Sequence, residues 1–127
     1  MTGRGASRYR KVQLESAPPP RVLLELLGRL EADLAQAARS LSARDIQGKA
    51  RAVQRALAVL GELEAALDHE VAPELCRNLA GLYRYCSSRI LLASVRLDPA
   101  PLAEVAAHLR PVREAFEEAV AAATPKP

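Results

Sequence analysis

Aromatic residues are scarce in this sequence, and their scarcity limits the cores and surfaces that it can form. The 127 residues include no Trp, one Phe and three Tyr. A core without large rings must be built from aliphatic layers of moderate thickness. Two aromatic residues interleaved with a basic one, the pattern that favours stacking on RNA bases, occur at Tyr83-Arg84-Tyr85. The composition therefore gives little support for a nucleic-acid factor.

Cysteines and long apolar runs are also limited. Cys76 and Cys86 lie on one predicted helix, about 15 Å apart along its axis. A disulfide requires Cα atoms within about 7 Å, so these two cysteines cannot bridge each other. Reduced thiols fit a cytosolic protein. No apolar core follows the basic N-terminal residues, and no apolar run approaches the ~20 residues that span a bilayer. We therefore expect a cytoplasmic protein without membrane insertion.

The formal charge of +3 originates in the N-terminus. Arg4, Arg8, Arg10 and Lys11 lie in the first eleven residues, which contain no acid. Subtracting these four from the 18 basic residues leaves 14 bases against 15 acids in the rest of the chain. Because a nucleic-acid module should show a basic face on its folded domain, we expect no nucleic-acid partner.

The residues that are abundant favour helix. Half of the residues are hydrophobic, and the apolar mass is Ala, Leu and Val. Ala and Leu are among the best helix formers, and they recur at the 3.6-residue period of an amphipathic helix. The periodic segments predict four helices, at Pro20 to Leu41, Ile46 to Leu67, Pro73 to Val95 and from Pro99 onward. Connections of roughly two to six residues force antiparallel neighbours, so we expect an all-α, antiparallel up-down four-helix bundle.

Prolines and polar residues mark the limits of this bundle. We expect residues 1–15 to form a flexible basic N-terminal arm, residues 16–123 the helical bundle domain, and residues 124–127 a frayed tail. Asp45 and Asp98 precede the second and fourth helices and are predicted N-caps.

Glycine and proline interrupt the helical pattern of the second and fourth helices. Gly48 and Gly61 lie inside the second helix, where each costs about 1 kcal/mol relative to Ala. Gly61 indicates either a close helix crossing or simple tolerance. Pro111 lies inside the fourth helix and should kink it.

No constellation of reactive side chains predicts catalysis. The sequence has no Gly-rich phosphate loop, no nucleophile elbow and no HExxH motif. Its only histidines, His69 and His108, lack a His or Cys at metal-ligand spacing. Glu104 and His108 are four residues apart, but a di-iron bundle would need a partner for such an element. We therefore expect no enzyme, no metal and no cofactor.

Several segments have the pattern of a known family. The most specific segment is Asn78-Leu79-x-x-Leu82-Tyr83-x-Tyr85-x-x-x-Arg89-Ile90-x-x-Ala93 in helix three. The weaker segments are Tyr9-(x)4-Leu14 before Ser16-Ala17-Pro18-Pro19, Asp98-x-x-x-Leu102-x-Glu104-Val105, and Val112-Arg113-Glu114-Ala115-Phe116. From about Tyr9 to Ala119 the chain resembles the bacterial flagellar secretion chaperones of the FliS type. Pro18 and Phe116 depart from the capping serine and the terminal Trp of that family, and these departures leave the cargo open.

The resemblance implies a cytosolic chaperone that binds the disordered C-terminal segment of flagellin. Such a chaperone prevents premature polymerisation and helps to deliver flagellin to the flagellar type III export apparatus, whose components are a further expected partner. Two alternatives stay open. One is a related helical-bundle chaperone or regulator with a different secreted cargo, and the other is a small helical enzyme or nucleic-acid factor.

Helix three is apolar over a wider arc than one core face requires, so it is either central in the bundle or carries a binding surface as well. We expect part of the arc to contact cargo, although each residue has an equal claim to the core. The candidates are Leu79, Leu82, Tyr83, Ile90 and Leu92. For Asn78 and Arg89 we expect structural roles. Asn78 would tie helix three to a neighbouring backbone, and Arg89 would pair with an acid on an adjacent helix.

The N-terminal arm contains two further candidates for partner binding, Tyr9 and Leu14. Both are large apolar residues among solvating neighbours, and a Tyr can bury its ring while its hydroxyl stays in water. We expect the arm to fold back so that Tyr9 covers part of the cargo groove in the free protein. Cargo would then displace the arm at a cost to its apparent affinity.

Deletion of residues 1–15 tests this expectation. If the arm occludes the groove, the truncated chain should bind cargo more tightly or faster in a calorimetric or stopped-flow titration. It should also aggregate more when free, because an apolar patch is uncovered. Unchanged binding and solubility would indicate an arm without a role, and weaker binding would indicate direct contact between Tyr9 and cargo.

Overall fold

The computed structural model describes residues 18–123, which fold into four α-helices. The helices are α1 (Pro20–Ser42), α2 (Ile46–Ala65), α3 (Pro73–Arg96) and α4 (Ala100–Ala123). No strand occurs among these residues, so the all-α prediction is confirmed. The predicted arm, residues 1–15, and the predicted tail, residues 124–127, lie outside the described range.

Proline and aspartate start the helices as the sequence predicts. Pro20 is the first residue of α1, and the Asp45 carboxylate accepts a hydrogen bond of 2.9 Å from the Gly48 amide at the start of α2. Asp98 accepts one of 3.0 Å from the Ala100 amide, and α4 begins at Ala100, one residue after the predicted Pro99. These contacts satisfy amides that the first turn of a helix leaves without an intrahelical partner.

The end of α2 differs from the prediction. The helix ends at Ala65 rather than Leu67, because the Leu67 amide donates to the Glu64 carbonyl three residues back and closes the last turn more tightly. Pro111 lies inside α4 as predicted, and the helix continues through it to Ala123.

The four helices close into a ring around one core. Both α1 and α3 pack against α2 and against α4. With short connections between consecutive helices, this arrangement confirms the predicted up-down bundle. The core is mainly aliphatic, as the lack of aromatic residues requires. Its most deeply buried side chains include Leu27, Leu30, Leu60, Leu63, Ile90 and Leu109.

An arginine–carboxylate ion pair bridges each of the four helix–helix interfaces. Because these pairs are partly exposed, each contributes little to stability, but together they favour one rotational register of the helices. The pairs are Asp33–Arg55 between α1 and α2, Glu64–Arg84 between α2 and α3, Arg89–Glu104 between α3 and α4, and Glu31–Arg113 between α1 and α4. Within residues 18–123, no helix is long and apolar enough to cross a membrane.

The two glycines of α2 have different surroundings. Gly48 is buried, and a Cβ atom there would overlap the Asp45 carboxylate and lie 2.9 Å from the Ser40 hydroxyl. At Gly61 a Cβ would meet no atom within 4 Å. Gly48 therefore makes room for the helix cap, whereas Gly61 is simply tolerated.

This difference predicts opposite effects of two matched substitutions. Gly61→Ala should raise the free energy of unfolding by up to about 1 kcal/mol, because Ala has the higher helix propensity and the site is open. Gly48→Ala should instead lower it by about 0.5–2 kcal/mol, because the new methyl group displaces the capping carboxylate. Urea denaturation of both variants measures the difference. Equal stabilisation by the two substitutions would contradict the role assigned to Gly48.

Candidate functional site

The structure divides the five α3 candidates into core and surface residues. Tyr83 and Ile90 are 2% and 0% exposed and belong to the core. Leu79 and Leu82 are half-buried and pack against that core. Leu92 is half-buried but lies outside the core cluster. Leu79, Leu82 and Leu92 are therefore the candidates that a partner can reach without opening the bundle.

The unburied apolar surface of the bundle is concentrated on α3. Among the described residues, seven large hydrophobic side chains are exposed, and five of them lie on α3 or at its C-cap. These five are Leu75, Tyr85, Leu91, Val95 and Leu97. The apolar residues of α3 therefore cover a wider part of its surface than α2 and α4 can bury.

One strip of α3 residues follows the groove between α3 and α4. Tyr85 and Arg89 both contact Glu104 of α4, which places them on the α4 side of α3. Residues at three- and four-residue spacing from them share that side of the helix. We call this set the α4-side strip. It consists of Asn78, Leu82, Tyr85, Arg89 and Leu92.

The Glu104 carboxylate links the two walls of this groove. It accepts hydrogen bonds from the Tyr85 hydroxyl and, at 2.8 Å, from Nε of Arg89. Nε2 of His108 lies 3.4 Å from the same carboxylate. The Tyr85 and His108 rings meet edge to face, with centroids 5.6 Å apart. Four side chains therefore form one polar cluster between α3 and α4.

The pKa values of this cluster follow from its hydrogen bonds. The hydrogen bond from Tyr85 is the main cause that lowers the pKa of Glu104. Burial opposes it, but the hydrogen bond and charge of Arg89 and the bond from His108 lower the pKa further. The same bond to Glu104 raises the pKa of Tyr85. Tyr85 thus stays a neutral donor and Glu104 an ionised acceptor near neutral pH.

Arg89 has the partner that the sequence predicts, whereas Asn78 does not. Arg89 pairs with Glu104 on the adjacent helix, as predicted. Asn78 is exposed and makes no hydrogen bond to a neighbouring backbone within residues 18–123, so its expected structural tie is wrong for this part of the chain. Its amide is left on the surface of the α4-side strip, one turn from Leu82.

Two site residues were missed by reasoning from the sequence. Tyr85 is 45% exposed and central to the strip, and Glu104 is the residue that joins α3 to α4. The seven-residue spacing of Asn78, Tyr85 and Leu92 was the available signal for a common face. In the sequence, the four-residue spacing of Glu104 and His108 suggested only one half of a metal site and not a contact with α3. Among the described residues, no group of three His, Cys, Asp or Glu side chains is placed to hold a metal.

Comparison with known proteins agrees with the pattern in helix three. A family model described as flagellar protein FliS matches residues 2–123 of the chain. The chain belongs to the FliS family. This membership confirms the resemblance seen in the sequence, and it covers the whole bundle together with most of the N-terminal region.

Individual FliS relatives are similar over nearly the same span. The flagellar secretion chaperone FliS of Salmonella typhimurium is 32% identical over 122 residues, which cover 92% of this chain and 90% of the relative. The flagellar secretion chaperone FliSB of Pseudomonas aeruginosa is 35% identical over 115 residues, covering 87% and 90% of the two chains. The Escherichia coli FliS is 28% identical over 122 residues. The family is one of chaperones and not a class of enzymes.

The polar cluster predicts a specific dependence of stability on pH. Since the pKa of Glu104 is lower in the folded chain than its ordinary value of 4.5, ionised Glu104 stabilises the fold above that value. This contribution is lost as the pH falls through the lower folded-state pKa. We therefore expect the difference in melting temperature between the wild type and Glu104→Gln to be largest at neutral pH and to shrink in acid.

Thermal melts followed by circular dichroism over a series of pH values measure this difference. Glu114→Gln is the matched control, because Glu114 is exposed on the same helix and has no ion pair among the described residues. A Glu104→Gln deficit that stays constant as the pH falls would contradict the role of the ionised carboxylate.

Proposed function

We propose that this protein is a cytosolic export chaperone that binds the disordered C-terminal segment of flagellin. In this role it prevents premature polymerisation and helps to deliver flagellin to the flagellar type III export apparatus. Membership of the FliS family supports the flagellar role. The observation that carries the binding proposal is the α4-side strip, where Tyr85 is exposed and Leu82 and Leu92 are half-buried.

The groove beside the α4-side strip is the proposed cargo site. Leu82 and Leu92 lie ten residues apart, about 15 Å along α3, and offer two apolar contacts to one bound segment. An amphipathic cargo helix could lay its apolar stripe into such a groove, as in other helix-in-groove complexes. The contact would cover the cargo surface that otherwise drives flagellin subunits together.

Polar groups on the same strip would fix the position of the cargo. The Asn78 amide provides both a donor and an acceptor, and neither is used within the described residues. Tyr85 exposes part of its ring while its hydroxyl is held by Glu104. A side chain held in one rotamer loses less entropy when a partner binds, so Tyr85 is suited to anchoring cargo.

A disordered cargo segment also suits a chaperone that must release its cargo to the export apparatus. A segment that orders itself on the chaperone loses conformational entropy at that moment, and this loss lowers its affinity for a given contact area. The chaperone can therefore cover a long stretch of cargo without holding it permanently. That property suits a protein that must hand its cargo to an export machine.

A second candidate function is a helical-bundle chaperone or regulator with a different secreted cargo. The α3 surface supports apolar cargo in general, and Phe116 and Pro18 depart from the family pattern. A pulldown from the cytosol of the host, followed by mass spectrometry, separates the two. Flagellin as the main captured protein supports the first proposal, and a different secreted protein supports the second.

Substitution in the strip tests the proposed site. Leu92→Ser should weaken binding of the host flagellin C-terminal segment by about tenfold or more, because burial of a Leu side chain contributes roughly 1.5–3 kcal/mol. Its melting temperature should change little, since Leu92 lies outside the core cluster. Isothermal titration calorimetry and thermal melts measure the two quantities.

Val22→Ser provides the matched control, because Val22 is an exposed apolar residue on α1, away from the strip. It should bind the flagellin segment as the wild type does. Leu92→Ser with wild-type affinity, or an equal loss in both variants, would contradict the assignment of the groove.

A further inference from the structure

One end of the bundle combines features that the cargo groove does not use. The α1–α2 turn, residues 43–45, and the α3–α4 turn, residues 97–99, both lie there, and we call it the turn end. Nζ of Lys49 donates to the Ser94 hydroxyl at 3.1 Å and to the Ser94 carbonyl at 3.3 Å. These bonds hold the first turns of α2 beside the last turn of α3.

Exposed apolar side chains form a line at this end. Ile46, Val95 and Leu97 are 52%, 80% and 55% exposed. Leu91 is 49% exposed and lies two turns from Arg84, whose ion pair with Glu64 places that side of α3 next to α2. From Leu91 to Leu97 the line covers about 9 Å along α3. It therefore follows the α2 side of α3, away from the α4-side strip.

Both turns have a residue that the backbone does not favour. Leu97 and Arg44 have φ angles of 54° and 57°, in the left-handed region where glycine is the usual residue. Leu97 also exposes more than half of its surface. A glycine would relieve the strain at both positions and would expose no apolar surface. The side chains themselves are thus better explained by a contact with another molecule than by stability.

The turn end is also basic. Residues 39–51 and 94–98 contain five cationic side chains and two acids, Asp45 and Asp98, whose carboxylates already accept helix-capping hydrogen bonds. Within residues 18–123, Arg44, Arg51 and Arg96 form no ion pair. The opposite end has the reverse charge. Among residues 18–123, its acids are Glu25, Glu62, Glu64, Asp68, Glu70, Glu74, Glu114, Glu117 and Glu118, and they outnumber its bases Arg21, Arg77, Arg84 and Arg113.

We propose that the turn end binds an acidic amphipathic segment of a partner protein, separately from the cargo in the groove between α3 and α4. The cationic side chains complement carboxylates, and the line from Leu91 to Leu97 with Ile46 complements an apolar stripe. A line of aliphatic side chains along a helix fits one rod-like segment better than a flat membrane. It offers no aromatic ring on which a nucleic-acid base could stack.

The test uses a fluorescein-labelled designed helical peptide with leucines on one face and glutamates on the other. A control peptide has lysine in place of every glutamate. Fluorescence anisotropy with the full chain should show at least about tenfold tighter binding of the acidic peptide, and this affinity should fall as salt rises. Excess flagellin C-terminal segment should not displace the acidic peptide.

Two variants separate the proposed contact from folding. Leu97→Gly should weaken binding of the acidic peptide several-fold while the melting temperature stays unchanged or rises, because the substitution relieves the positive φ. Arg44→Glu combined with Arg96→Glu should weaken it by about tenfold or more. Arg29→Glu combined with Arg110→Glu changes the net charge equally, at exposed residues elsewhere, and should have little effect.

Other occupants give distinct results, each of which would overturn the proposal. Displacement of the peptide by the flagellin segment would make the turn end part of the cargo site. Binding to phosphatidylserine-containing vesicles without preference for the acidic peptide would make it a membrane contact. Self-association in analytical ultracentrifugation that Leu97→Gly abolishes would indicate a second copy of the chain. Equal affinity for the acidic and the lysine peptides would exclude charge complementarity.

Discussion

Each helix of a four-helix ring can bury only the arc that faces its two neighbours, and this limit determines where the protein exposes apolar surface. The apolar stripe of α1 is no wider than the arc that α2 and α4 bury. Only Val22 is therefore exposed among the large apolar residues of α1. The apolar residues of α3 extend beyond the arc on both sides. The α2 side then holds Leu91 and Val95, and the α4 side holds Leu82, Tyr85 and Leu92. The partner surfaces proposed above follow from this surplus.

The start of each helix was predictable from the sequence because local chemistry determines it. Proline at a first position and aspartate before a helix act within one turn, so Pro20 and Asp45 gave reliable signals. The site was less predictable because burial depends on which helices become neighbours. Tyr83 and Leu82 are adjacent in the sequence, yet only Tyr83 is fully in the core. Apolar character alone could not separate them, since both lie within the wide arc of α3.

For the polar contacts, the sequence predicted the type of partner residue but not which residue it is. An acid opposite Arg89 was expected, but its identity as Glu104 depends on the register between α3 and α4. That register also joins Tyr85 and His108 to the same carboxylate, so a spacing considered for metal binding became a link between helices. The cluster links α3 to α4 at Glu104, and Leu82 and Leu92 of the α4-side strip lie on either side of Tyr85 and Arg89 along α3. If cargo binds there as proposed, helices linked in this way lose less entropy on binding.

The central claim is that cargo occupies the α4 side of α3 while the core of the bundle stays intact. Methyl-resolved NMR of the full chain, titrated with the host flagellin C-terminal segment, measures this most directly. The account predicts that the largest shifts occur at the methyl groups of Leu82 and Leu92, with those of Val22 and Leu27 nearly unchanged. Shifts concentrated on α1, with the α3 methyl groups unaffected, would contradict it.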